Sequence, residues 1–81
     1  MTLKFRYAEV DCEEFSSYVT SIGERVVSEI TFLIDIDIEK IEKIYSDPFM
    51  IITPTYTTIF GGYALEEYYE EDGMVRIICR K

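Results

Sequence analysis

Hydrophobic and polar positions change period once, sharply, between Ile30 and Pro48. Ile30, Phe32 and Ile34 alternate with Thr31, Leu33 and Asp35 among β-branched and aromatic residues, which predicts a strand with Leu33 half-covered on its second face. From Asp37 the spacing turns helical. Ile38, Ile41, Ile44 and Tyr45 fall on one face, with Glu39, Lys40, Glu42 and Lys43 opposite. The pattern predicts a short helix over about residues 37–46, with Asp37 as N-cap, a Glu39–Lys43 pair one turn apart, and a stop before Pro48. Two to three turns are too few to hold in water alone, so the isoleucine stripe must lie on a sheet.

The rest of the chain reads mainly as strands. Leu3, Phe5 and Tyr7 alternate with Lys4 and Arg6, a half-buried strand running on toward Val10. Asp11 to Ile22 supports two readings. Phe15, Tyr18, Val19 and Ile22 have helical spacing, but Ser16 to Ser21 are poor helix formers in a row. We favour a strand there, with Ser17 facing inward and a Gly23-Glu24 turn leading into Arg25–Ile34 as a hairpin. After the helix come an apolar strand from Phe49 to Ile52, ended by Thr53-Pro54, and a second from Tyr56 to Phe60. Gly61-Gly62 is a tight turn or a bulge. Tyr63 to Glu71 stays extended until Asp72-Gly73, a two-residue hairpin signal. That turn pairs Glu71 with Met74, Glu70 with Val75, Tyr69 with Arg76 and Tyr68 with Ile77, so Tyr68 joins the core and Tyr69 lies over Arg76 outside. Met74 to Arg80 closes the chain with Val75, Ile77 and Cys79 on one face. The sum is an α+β fold in one domain, 1–81: a mostly antiparallel β-sheet with one short helix packed on it.

Charge changes this picture only at the surface. The net charge of -8 on 81 residues opposes contact with a nucleic-acid backbone, and suits either a basic protein surface or simple solubility. With no histidine, the commonest general base and zinc ligand is missing. Cys12 and Cys79 are too few and too separated for a zinc site, and read as reduced thiols that meet only if the first and last strands are neighbours. No signal peptide is visible and no apolar run has the length of a membrane span, so neither secretion nor a membrane partner is expected.

The densest charge is Glu66, Glu67, Glu70, Glu71 and Asp72. It lacks the alternating ligands and central glycine of a calcium loop, and no apolar pocket is evident to separate two carboxylate pKa values. A solvated face that guards a sheet edge explains it first, an interaction surface second. Asp35, Asp37 and Glu39 are read as helix-capping acids. Tyr56, Phe60, Tyr63, Tyr69 and Arg76 flank the acids and, together with Glu66, Glu67, Glu70, Glu71 and Asp72, form the candidate protein-contact surface. Neither Ser16-Ser17 nor Gly61-Gly62 has the context of a nucleophile or a phosphate loop. We expect no enzyme, no catalytic residue, no metal and no cofactor.

The order of features resembles small proteins encoded among the structural and tail genes of phages and prophages of Gram-positive bacteria. The matching stretches are the LKF strand, SSYVTSIGERVVSEITFLI, the IEKIEKIYSDP helix, the FGGY segment and the closing DGMVRIICRK strand. The resemblance implies a virion-related setting and no reaction; with it, we expect a non-enzymatic structural or accessory protein, in the virion or the host bacterial cytoplasm, that works through contacts with other proteins or with further copies of itself. The rival reading is an acidic nucleic-acid mimic that blocks a basic cleft of a host defence nuclease.

Overall fold

The computed structural model describes all residues from Met1 to Lys81. Seven strands, β1 (Thr2–Lys4), β2 (Glu9–Ile22), β3 (Arg25–Ile34), β4 (Phe49–Ile52), β5 (Thr57–Phe60), β6 (Ala64–Glu71) and β7 (Met74–Arg80), form one sheet in the order β5-β4-β1-β2-β3-β7-β6. Every pairing is antiparallel. The stretch from Asp11 to Ile22 is strand, paired with β3 from Cys12 onward with one bulge, and Ser17 shares a face with buried Ile30. The Asp72-Gly73 hairpin has the expected register in the four pairs next to the turn, with both turn residues at positive φ.

The length of one connection forces the sheet to curl. β5 and β6 are its two edges, yet only Gly61 to Tyr63 connect them. Six strand spacings would hold the edges of a flat sheet about 29 Å apart. The connection from Phe60 to Ala64 spans about 14 Å at most. The sheet therefore bends round until the edges approach. Phe60 of β5 meets Phe15 of β2 at 5.5 Å between ring centroids and Tyr63 at 6.1 Å. Asp47 fixes the crossing, accepting from the Gly62 N–H at 3.0 Å and the Tyr63 N–H at 3.2 Å.

Inside the curl lies one core of Leu3, Phe5, Cys12, Ile30, Phe32, Ile34, Ile41, Phe49, Ile51, Tyr63, Val75, Ile77 and Cys79. Phe49 is its hub, with Phe5, Phe32, Tyr45, Phe60 and Tyr63 all within ring-contact distance. Two bulges keep the apolar residues inward. In β2 the extra residue is Glu13, and in β6 it is Glu66.

Several local expectations change. The first strand stops at Lys4 rather than continuing to Val10, because the Phe5 N–H donates to the Ala8 carbonyl and turns the chain; Tyr7 is 93% exposed at that corner. The helix is shorter than 37–46. It is a 3₁₀ turn, Ile38–Lys40, followed by a single α-turn, α1, Ile41–Ile44. Asp37 makes no side-chain cap; it sits 3.7 Å from Lys40 instead, and no Glu39–Lys43 pair forms. Tyr45 is already extended, held by its hydroxyl donating to the Tyr63 carbonyl, so the chain leaves the helix before Ser46. The isoleucine stripe still enters the core through Ile41, with Ile38 and Ile44 packed beside it. Cys12 and Cys79 are both buried and free, but β1 and β7 are not neighbours. Cys12 faces Ile34 and Cys79 faces Ile30 on opposite sides of β3, roughly 13 Å apart along that strand.

Candidate functional site

The expected contact residues divide into three groups. Tyr63 is buried in the core at 7% exposure and Phe60 packs against it, so both hold the curl together. Lys81 covers the Tyr63 ring from outside, its ammonium 4.9 Å from the centroid. Arg76, Glu71 and Glu67 are engaged in ion pairs on the outer face. Glu66, Tyr69, Glu70 and Asp72 on the β6–β7 hairpin, and Tyr56 near the other edge, are exposed and outside these ion pairs, and Glu67 stays exposed although paired.

Register explains the ion pairs. Glu14, Leu33, Arg76 and Tyr69 form one outer row across β2, β3, β7 and β6. Arg76 Nη2 reaches Glu14 at 2.7 Å and Glu71 at 2.6 Å, closing over Leu33 and leaving it buried on an outer face. Arg76 does not stack with Tyr69, because the two carboxylates take its guanidinium. Tyr18, Glu29, Arg80 and Ala64 form a second row. Arg80 donates to Glu29 at 2.7 Å and to Glu67 at 2.9 Å. The Tyr18 hydroxyl and the Arg80 guanidinium hold the Glu29 carboxyl below its usual range, and Arg76 does the same for Glu71. These arginines tie β6 to the rest of the sheet and are spent in doing so.

Neither thiol is set up as a nucleophile. Burial pushes Cys12 up to about 11 and Cys79 up to about 12, so both are protonated at neutral pH. No group of three or more His, Cys, Asp or Glu is arranged to hold a metal ion, and no helix is long and apolar enough to cross a membrane. Asp35, Asp37, Glu39 and Glu70 line two adjoining shallow concavities between the helical turn and the β6–β7 hairpin, with Ile36, Asp37 and Gly73 common to both.

The opposite edge is chemically different. From Pro48 through Leu65 no residue carries a charge, in a chain that is 30% charged overall. This run builds β4 and β5 and leaves β5 as a free edge. Phe60 and Thr58 face inward, opposite Phe49 and Ile51; Ile59 and Thr57 face outward, beside Met50 and Ile52. Ile59 is 67% exposed and Tyr56 56% exposed. The only charged side chains in the shallow cavity beside Ile59 are Lys4 and Arg6. The β6 edge has its glutamates, its bulge and the arginine clamps; the β5 edge has only its short length for protection. Sequence reading passed over Thr57 and Ile59 because it followed charge density. The signal that marks them is the interruption of charge. No protein-family model matches this chain, and no curated protein or solved structure does either.

Proposed function

We propose that this chain is a non-enzymatic, phage- or prophage-type accessory or structural protein that works through protein–protein contacts, in the virion or the host cytoplasm. The observation that carries the contact reading is the uncharged β4–β5 unit, which presents a free strand edge with Tyr56 and Ile59 exposed beside it. The phage setting draws its support from the sequence pattern alone. A contact of this kind is made by main-chain hydrogen bonds and apolar side chains, and resists added salt.

The second reading is an acidic inhibitor that occupies a basic cleft of a host defence nuclease. What favours it is the concave surface lined by Asp35, Asp37, Glu39 and Glu70. Capture from a lysate of the source, with the folded chain immobilised and the wash taken from low to moderate salt, separates the two. Tail or capsid components retained through the salt step, and lost from an Ile59→Lys bait, support the structural reading. A basic nucleic-acid-handling protein lost with salt, and lost from a Glu70→Lys bait, replaces it with the inhibitor.

A further inference from the structure

We infer that the β5 edge is a self-association surface, on which two copies pair β5 with β5 in antiparallel register about a two-fold axis at Thr58. This rests on the protein-contact reading above and names its partner as a second copy of the chain.

The register follows from the hairpin. The Thr53 N–H donates to the Tyr56 carbonyl at 2.9 Å, which starts the alternation of bonded and non-bonded pairs along β4 and β5. Thr58 and Phe60 therefore bond inward to β4, and the N–H and C=O groups of Thr57 and Ile59 point out of the free edge. An antiparallel copy can satisfy all of them in one register: Thr57 against Ile59 of the other copy, and Ile59 against its Thr57. Thr58 then faces itself across the axis, and Tyr56 faces Phe60. The segment Tyr56-Thr57-Thr58-Ile59-Phe60 reads as aromatic, three β-branched residues, aromatic in either direction. A two-fold interface needs this self-complementarity, and aromatic and β-branched cross-strand pairs are the favourable ones.

Charge selects the same edge. Two copies of net charge -8 repel. Approach through β6 would set Glu66, Glu67, Glu70 and Glu71 against their own images. Approach through β5 brings together surfaces with no acid between Pro48 and Leu65, and the charged side chains lining the cavity beside Ile59, Lys4 and Arg6, are basic. Salt screens the remaining repulsion, so the contact tightens as salt rises, the reverse of an ion-paired contact. A ladder this short, flanked by Ile59 and Met50, lies at the low end of specific interfaces, below about 1,200 Å² in total. Association is accordingly weak and concentration-dependent.

Analytical ultracentrifugation of the purified chain across concentration and sodium chloride tests the inference. A monomer of 9.5 kDa in exchange with a species of twice that mass, shifting toward the dimer with salt, is expected. Ile59→Lys should be monomeric with an unchanged circular-dichroism spectrum. Thr58→Cys should form an interchain disulfide on oxidation and Ile59→Cys should not, because the Cα atoms of a non-bonded antiparallel pair lie about 4.5 Å apart, within disulfide reach, only at the axis. A chain that stays monomeric to about 1 mM, a dimer that survives Ile59→Lys, or a Thr58→Cys variant that stays unlinked overturns it. If the chain is monomeric while a different protein is retained through an Ile59-dependent contact, the self-association fails and the contact reading stands. A monomer with no such capture overturns both.

Discussion

Glu13 and Glu66 occupy equivalent positions in two different strands: each is the single unpaired residue of a bulge, and each follows an apolar residue that faces the core. In β2 the sequence is Cys12-Glu13-Glu14-Phe15 and in β6 it is Leu65-Glu66-Glu67-Tyr68. Both stretches must turn inward two residues spaced by three, which a regular strand of period two cannot do. One extra glutamate absorbs the mismatch. It also leaves the second glutamate, Glu14 or Glu67, on the outer face, where Arg76 and Arg80 take them up.

Shortening Glu66-Glu67 to a single glutamate should therefore be tolerated. Leu65 and Tyr68 would then alternate regularly, with the remaining glutamate still opposite Ile78 and near Arg80. Shortening Glu70-Glu71 in the same way has no bulge to consume, and turns Tyr69 instead of Tyr68 toward the core. Urea denaturation should put the first variant within about 1 kcal/mol of the parent and the second at least about 2 kcal/mol lower. Equal losses would contradict the bulge account.

Arg76 bonds two carboxylates from different strands and shields Leu33. Arg76→Met keeps the stem and leaves Glu14 and Glu71 unpaired side by side at the surface, so the unfolding free energy should fall, and fall less in high salt. Arg76→Lys should recover only part of this, since an ammonium does not present the two-pronged donor geometry. Full recovery by lysine would mean that the planar guanidinium adds nothing.

The acid side of the stability profile has a fixed sign. Glu29 is lowered by the Tyr18 hydroxyl and Arg80, and Glu71 by Arg76, from an ordinary value of 4.5. A carboxyl depressed on folding contributes stability that is complete above its unfolded value and is lost as pH falls through its folded one. The gap in melting temperature between the parent and Glu29→Gln should be widest at neutral pH and should close below 4.5. Comparing the two proteins cancels the general relief of acid–acid repulsion at low pH. A gap that widens on acidification would reverse the assignment.

Ile41 is fully buried in a helical segment too short to persist by itself. Ile41→Asp puts a carboxylate into the core without a partner, and the cooperative thermal transition should disappear at neutral pH. An unchanged melting temperature would refute the packing of the helical turn on the sheet.

Strand pairing was legible wherever turn chemistry fixed it. Asp72-Gly73 set the register of β6 on β7 near the turn, and Val75, Ile77 and Cys79 are all buried as their alternation implies. The bulges were not legible. Phe15, Tyr18, Val19 and Ile22 supported two readings because their spacing imitates a helix, although Phe15 packs on the core and Tyr18 lies in an outer row. The helix was overestimated for a related reason. The isoleucine stripe meets the core with just one fully buried residue, and the Tyr45 hydroxyl bond to Tyr63 draws the chain away before a second turn. For the contact surface, sequence placed Tyr63 and Phe60 outside because they flank the acids, whereas the curl that the short Gly61–Tyr63 connection forces turns both rings inward.

Amide hydrogen exchange along β5, in dilute protein and then under the conditions in which a contact forms, reads out which edge of the sheet is engaged. In the dilute chain the Thr58 and Phe60 amides, bonded to β4, should be protected while those of Thr57 and Ile59 exchange freely. Once a second copy or a captured partner is bound, Thr57 and Ile59 should become protected and the β6 edge should not change. Free exchange at Thr57 and Ile59 in the bound state, with new protection between Glu66 and Asp72, would place the working surface on the acidic hairpin and contradict the account.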